Sequence, residues 1–230
     1  MDNSERFLNL YRDLEEVLSV KYQTRSGAVH RFGGGEGSRW QEELNLFREM
    51  RNLLSHHGRI GEEAPMQPSE PSIRILEEIL EYAKHPPAAL SIATRTDQLY
   101  CANGSELVTD LLKEMEQRGF SHIPVVDEKR RLTGVFSVGS LFTHTRNKPE
   151  QPVAGMRVRD MEAVLPPRQH VMEKFYFVDQ DASCYEIKKL FQKRDAGSRR
   201  VAAIFVTVGG NEKSPIMGMI TPWDVLRAEK

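Results

Sequence analysis

The chain has 230 residues, of which 39% are hydrophobic and 28% charged, and its 32 Lys and Arg nearly cancel 33 Asp and Glu. That length accommodates one large domain or two small ones with real cores. The charge balance excludes a global field drawing the protein to nucleic acid or to a membrane surface. The two cysteines, Cys101 and Cys184, are too few for a disulfide scaffold and lack metal-ligand spacing. Each reads as a small buried hydrophobe, and no metal or cofactor is expected. The opening stretch MDNSERFLNLYRDLEEVL is too charged for a signal peptide, and no apolar run approaches a membrane span. A cytoplasmic protein without a membrane partner is expected.

The first 60 residues read as helices. In SERFLNLYRDLEEVLSV, Phe7, Leu10, Tyr11, Leu14, Val17 and Leu18 recur at helical spacing, with Ser4 as N-cap. RSGAVHRFGGGEGSR has three consecutive glycines, but no Gly-Lys-Ser/Thr follows and no strand precedes, so it reads as an inter-helix loop rather than a phosphate loop. RWQEELNLFREMRNLLSHH forms a second helix with Trp40, Leu44, Phe47, Met50, Leu53 and Leu54 along one stripe, ended by Gly58 and Gly61. Residues 61–86 comprise a proline-bearing linker and a connecting helix, SIRILEEILEYAKH, stopped by Pro86 and Pro87.

From Pro87 onward the pattern alternates. TDQLYCA reads as a strand, ELVTDLLKEMEQRG as a helix closed by Gly119, and SHIPVVD with RLTGVFS as a hairpin before a short helix near Val138. FYFVDQ, ASCYEIKKLFQKRD, RRVAAIFVTV, IMGMIT and PWDVLRAEK repeat that order. Two β-α-β-β-α units point to an internal duplication, residues 87–147 and 148–230, in an α+β fold preceded by a small helical domain of residues 1–60.

Each repeat ends its hairpin at a similar strand-to-helix corner: GVFSVGSLF in the first, GMITPWDVL in the second. Unpaired N–H groups and the positive end of the helix dipole favour an anion at such a corner. Thr221 can add a hydroxyl to a phosphate oxygen. Asp224, one turn later, can accept two hydrogen bonds from a ribose diol. Thr221 and Asp224 equally suit an N-cap and the acidic third residue of a capping arrangement. The first corner keeps a hydroxyl, Ser137, but has Ser140 where Asp224 stands.

Here the residues resemble the cystathionine-beta-synthase type, or CBS, domain. GFSHIPVVDEKRRLTGVFS looks like its central hairpin, and GMITPWD is similar to its Gly-X-X-Thr/Ser-X-X-Asp nucleotide signature. The resemblance spans roughly residues 87–230, strongly in both hairpins and weakly across 145–173. It implies a tandem pair, or Bateman module, with two clefts for adenosine-type ligands: AMP, ADP, ATP, S-adenosylmethionine or a cyclic dinucleotide. By the same resemblance Thr221 would contact phosphate, Asp224 the ribose hydroxyls, and Ser137 a phosphate in the other cleft. Without a carboxylate at 140 that cleft would lose a charge-assisted contact of roughly 1.5–3 kcal/mol, so one good and one weak site are expected. Arg199 and Arg200 either reach a phosphate or stay solvated.

In the helical part, REMRNLLSHH places Asn52 and His56 on one helix face, with Arg51 beside them. Histidine moves protons near neutral pH and Arg offers a planar fork, a combination suited to phosphodiester cleavage. The plain alternative pairs Arg51 with Glu43 or Glu49 at the surface. The stretch resembles the Arg-X(4–6)-His signature of HEPN domains, which implies a metal-independent, dimeric ribonuclease with Arg51, Asn52 and His56 catalytic. Residues 1–60 hold nine basic and nine acidic side chains, so no cationic RNA track is evident. A homodimer is expected either way. The two expected functions are a nucleotide-sensing regulatory module and a nucleotide-gated ribonuclease that binds RNA.

Overall fold

The computed structural model describes residues 2–56, 64–193 and 199–228, except the side chain of His56. The expected helix end at Gly58 and Gly61, and the start of the linker, lie outside the described residues. The residues group into two compact units, Met1–Pro87 and Ala88–Lys230.

The first unit is helical: α1 (Asn3–Tyr22), α2 (Ala28–Gly33), α3 (Gln41–His56) and α4 (Glu70–Lys84). Asp2 caps α1 and Ser69 caps α4. Ser4, expected as the α1 cap, sits inside the first turn, where its hydroxyl donates to the Met66 carbonyl at 3.0 Å. The glycine-rich stretch begins as α2 rather than a loop, because burying Val29 and Phe32 outweighs the low helix propensity around them. The core joins the α1 stripe (Phe7, Tyr11, Leu14, Leu18) to Phe32, Phe47, Ile73, Leu76 and Ile79. The Phe7 and Phe47 rings meet edge to face at 5.6 Å. Leu53, expected on the buried stripe of α3, is exposed.

The second unit runs α5 (Ala89–Ile92), β1 (Thr94–Arg95), α6 (Val108–Arg118), β2 (His122–Val126), β3 (Leu132–Ser137), α7 (Val138–Asn147), β4 (Glu173–Asp179), α8 (Cys184–Gln192), β5 (Arg200–Thr207), β6 (Ile216–Ile220) and α9 (Pro222–Ala228). Strands β2 and β3 form an antiparallel hairpin in which His122 lies opposite Ser137. A separate four-stranded sheet has the order β1-β6-β5-β4, parallel between β4 and β5 and antiparallel elsewhere. The strand expected over TDQLYCA is reduced to one parallel bridge, Ala102 to Val125. Gly119, with φ 69°, closes α6 in the left-handed region that glycine tolerates best. Cys101 and Cys184 are half-buried rather than buried, and burial raises both thiols above their ordinary range. Among the described residues no helix is long and apolar enough to cross a membrane.

The two repeats exchange backbone. Strand β1, from the start of the first, pairs with β6 of the second, so that Arg95 faces Gly218. Reciprocally, the segment ahead of β4 sends the Leu165 carbonyl to the Val135 N–H in β3, at 2.8 Å. The first glycine of each corner marks these crossings. A Cβ on Gly134 would stand 2.6 Å from the Leu165 Cβ and 3.0 Å from its carbonyl oxygen. A Cβ on Gly218 would stand 3.0 Å from both the Ala93 Cβ and the Thr94 carbonyl oxygen. Backbone crowds both sites, so relief requires strand movement, not a rotamer change. Gly134→Ala is therefore expected to destabilise the second unit by about 1–3 kcal/mol, read from the urea unfolding midpoint. An unchanged midpoint would show that the strands separate freely.

Candidate functional site

At the second corner, β6 ends at Ile220 and Pro222 opens α9, where its missing N–H costs nothing. Asp224 Oδ2 accepts both the Thr221 N–H and the Thr221 hydroxyl, each at 2.7 Å. The sequence reading left capping and ligand binding open, and this geometry satisfies capping. It leaves Asp224 Oδ1 with no hydrogen-bond partner among the described residues. Thr221 and Asp224 are both half-buried, so the pair is reachable from solvent.

The Asp224 N–H donates to the Thr221 carbonyl at 3.1 Å, so the second corner holds half of a capping box, whereas the first corner closes the full reciprocal box with hydroxyls. The Ser137 N–H donates to Ser140 Oγ at 2.9 Å, and the Ser140 N–H to Ser137 Oγ at 3.1 Å. A serine at the third helical position is thus enough for capping. The Ser137 hydroxyl is buried and donates at 2.6 Å to Glu173 Oε2, from the first residue of β4. Glu173 is the hub of a cluster that sequence reading did not find. Its Oε1 lies 2.9 Å from His122 Nε2, and its Oε2 lies 3.0 Å from His170 Nδ1. His122 Nδ1 in turn meets the Ser121 hydroxyl at 2.8 Å, and His170 Nε2 meets the Leu165 carbonyl at 3.1 Å. Both nitrogens of His170 are thus engaged by oxygens, one of Glu173 and one of Leu165.

The two imidazoles stand edge-on to the Phe175 ring, at 5.9 Å for His122 and 4.9 Å for His170. Burial opposes ionisation of Glu173, but hydrogen bonds from His122, His170 and Ser137 outweigh it. The carboxyl is held well below the usual range. Among the described residues no group of three or more His, Cys, Asp or Glu could hold a metal ion.

A cavity of about 450 Å³ opens along β4, lined by Arg168, Lys174, Phe175, Tyr176, Phe177 and Arg199 among others. Arg199 thus borders a cavity, whereas Arg200 is exposed. Thr221, Asp224 and Ser137 do not line it.

In the helical unit, Arg51 is engaged by a partner the sequence did not suggest. Its Nη2 bonds Glu15 Oε1 across to α1 at 2.7 Å, rather than Glu43 or Glu49, and its Nη1 meets Asn52 Oδ1 at 3.0 Å. Its guanidinium carbon stands 5.7 Å from the centre of the Tyr11 ring. Burial and the Glu15 carboxylate push the Tyr11 hydroxyl up to about 12, although Arg51 pulls the other way. His56 ends α3, and its side chain lies outside the described residues.

Comparison with known proteins agrees with the repeat. The model of the CBS domain family matches residues 91–146 and 168–230, together just over half of the chain. The CBS-pair protein CBSX2 from Arabidopsis thaliana is 18% identical, with a TM-score of 0.45 over 63% of this chain and 94% of its own. CbpB, solved in complex with c-di-AMP, is 13% identical, with a TM-score of 0.49 over 68% and 91%. The A-adding tRNA nucleotidyltransferase of Aquifex aeolicus (strain VF5) is 24% identical over 123 residues. Those residues are 54% of this chain but only 12% of the enzyme's length. With two matched segments, two hairpins and two corners of one design, the chain belongs to the CBS domain family.

Proposed function

We propose that the second unit is a regulatory sensor for an adenosine-type nucleotide, read at the Thr221–Asp224 corner and relayed to the N-terminal helical unit. The observation that carries this is the division of labour within Asp224. One carboxylate oxygen caps α9, while the other has no partner among the described residues. The first corner shows that a serine suffices for capping, so the charge at position 224 has a use beyond it. A ribose diol can bridge the uncommitted oxygen, and the Thr221 hydroxyl with the first turn of α9 can face the phosphate. The CBS resemblance supports an adenosine ligand such as AMP, ADP or ATP over other nucleotides. Calorimetric titration with AMP, ADP and ATP tests the reading. Heat that saturates for at least one of them is expected, and none for any would end it.

We also propose that the protein acts as a homodimer. Phe142 on α7 and Leu226 on α9 hold the same place in their repeats and are 56% and 54% exposed; nearby Val138 and Trp223 are exposed as well. Large apolar side chains repeated at matching positions of both corner helices suit an isologous interface with a second copy. Phe142→Asp combined with Leu226→Asp should give a monomer by sedimentation equilibrium where the wild type gives a dimer.

For a ribonuclease the described residues of the helical unit offer no favouring arrangement, since Arg51 is held by Glu15 and Asn52, and the side chain of His56 lies outside them.

A further inference from the structure

Glu173 has no counterpart in the reading of the corners, yet it occupies the place where that reading put a ligand's phosphate. Its carboxylate receives the Ser137 hydroxyl and lies against the first turn of α7. A Cβ added to Gly139 would be 3.3 Å from Oε2. Two imidazoles complete the set of donors around it, His122 from β2 and His170 from the segment before β4. A hydroxyl, two histidines and a helix N-terminus are groups that bind a phosphate monoester. Here they are already occupied by an anion belonging to the chain.

We infer that Glu173 is a built-in anion that fills the phosphate seat of the first corner, so that this cleft rejects phosphorylated ligands while the carboxylate is in place. The seat is assembled, not degenerate. His170 keeps its second nitrogen on the Leu165 carbonyl, which fixes the ring with its first nitrogen turned to Glu173. His170 is buried and Glu173 half-buried, with side-chain exposures of 1% and 20%. Taking Glu173 away leaves two imidazoles and a hydroxyl facing a space the size of a carboxylate. An inorganic phosphate or the terminal phosphate of a nucleotide then supplies the missing charge. The difference between the corners is thus larger than Ser140 for Asp224: one corner lacks a diol acceptor and is also plugged.

The inference deepens the sensor reading, and rests on it only for the expectation of one ligand per wild-type chain. Inorganic phosphate tests it separately, in an Asp224→Ala background that removes the second corner from the readout. Thermal unfolding is followed in phosphate and in sodium chloride of equal ionic strength. Asp224→Ala alone should show no phosphate-specific rise of the midpoint. Asp224→Ala with Glu173→Ala should show one, and adding His170→Gln should erase it. Should Glu173→Ala fail to fold, Glu173→Ser opens nearly the same space and replaces it. For the Glu173→Ala single variant, titration with AMP should raise the stoichiometry from one to two per chain. A double variant indifferent to phosphate would overturn the inference. So would a rise already present with Glu173 intact, or one that survives the loss of His170. Absence of binding of AMP, ADP and ATP alike to the wild type would count against the sensor reading alone, because the phosphate comparison still reports on Glu173.

Discussion

Asp224→Ala is expected to remove between half and most of the stabilisation that an adenosine nucleotide confers, while Ser140→Ala leaves it intact. At a ligand concentration a hundred times the dissociation constant, binding to the native state alone adds about 2.7 kcal/mol. Losing a charge-assisted contact of about 1.5–3 kcal/mol weakens binding roughly ten- to a hundredfold. At the hundredfold limit the same concentration adds only about 0.4 kcal/mol. The variant also loses a cap, because Oδ2 holds both the Thr221 N–H and its hydroxyl. The ligand-free midpoint should therefore fall by the equivalent of about 0.5–2 kcal/mol. Ser140→Ala breaks an equivalent cap at the first corner and should lower the ligand-free midpoint similarly. The two variants are matched in structural damage and differ in ligand response, which separates a binding role from capping. Equal ligand shifts in both would show that Asp224 only caps α9.

The part of the site that could be read from the sequence is the part built from neighbours in the chain. Thr221 and Asp224 sit three residues apart at a helix start, and so do Ser137 and Ser140, so spacing alone put each pair on one turn. The duplication was legible because both repeats carry the same order of periodicities. Glu173 was not, since its bonds to Ser137 and His122 span 36 and 51 residues. His170 is close to it in sequence, but both lie in the stretch where the resemblance is weakest, and no spacing rule singles out their contact. The missing strand over TDQLYCA has a similar cause. The partner of β6 is Thr94–Arg95, a pairing set by the exchange between repeats rather than by the alternation of Leu99, Tyr100 and Cys101. In the helical unit, Arg51 was read against acids on its own helix, whereas tertiary packing brings Glu15 from α1.

The Glu173 cluster also predicts how the fold responds to acid. Its folded carboxyl titrates well below the ordinary 4.5. As pH falls through the ordinary carboxyl range the unfolded chain takes up a proton at this position and the native protein does not. The unfolded state binds more protons there, so stability falls as pH falls. The contribution of Glu173 is complete above that ordinary value and is lost progressively below it. The groups setting the direction are those that face the carboxylate: His122 on β2, His170 ahead of β4 and the Ser137 hydroxyl at the α7 cap.

Glu173→Gln keeps the side-chain length and deletes the charge. Near neutral pH it should cost about 1–3 kcal/mol, the usual consequence of leaving buried donors without their acceptor. For a chain of this size that is a drop in midpoint of roughly 2–12 °C. The variant should also show a shallower loss of stability between pH 5 and pH 3 than the wild type, measured by urea unfolding at each pH. Replacing both partners, Glu173→Gln with His170→Gln, should recover part of the loss, since the two amides can pair with each other. Should Glu173→Gln cost as much as expected yet retain the full acid slope, the acid sensitivity would arise from carboxyl groups other than Glu173. A double variant no more stable than Glu173→Gln would mean that shape, not the ion pair, holds the corner together.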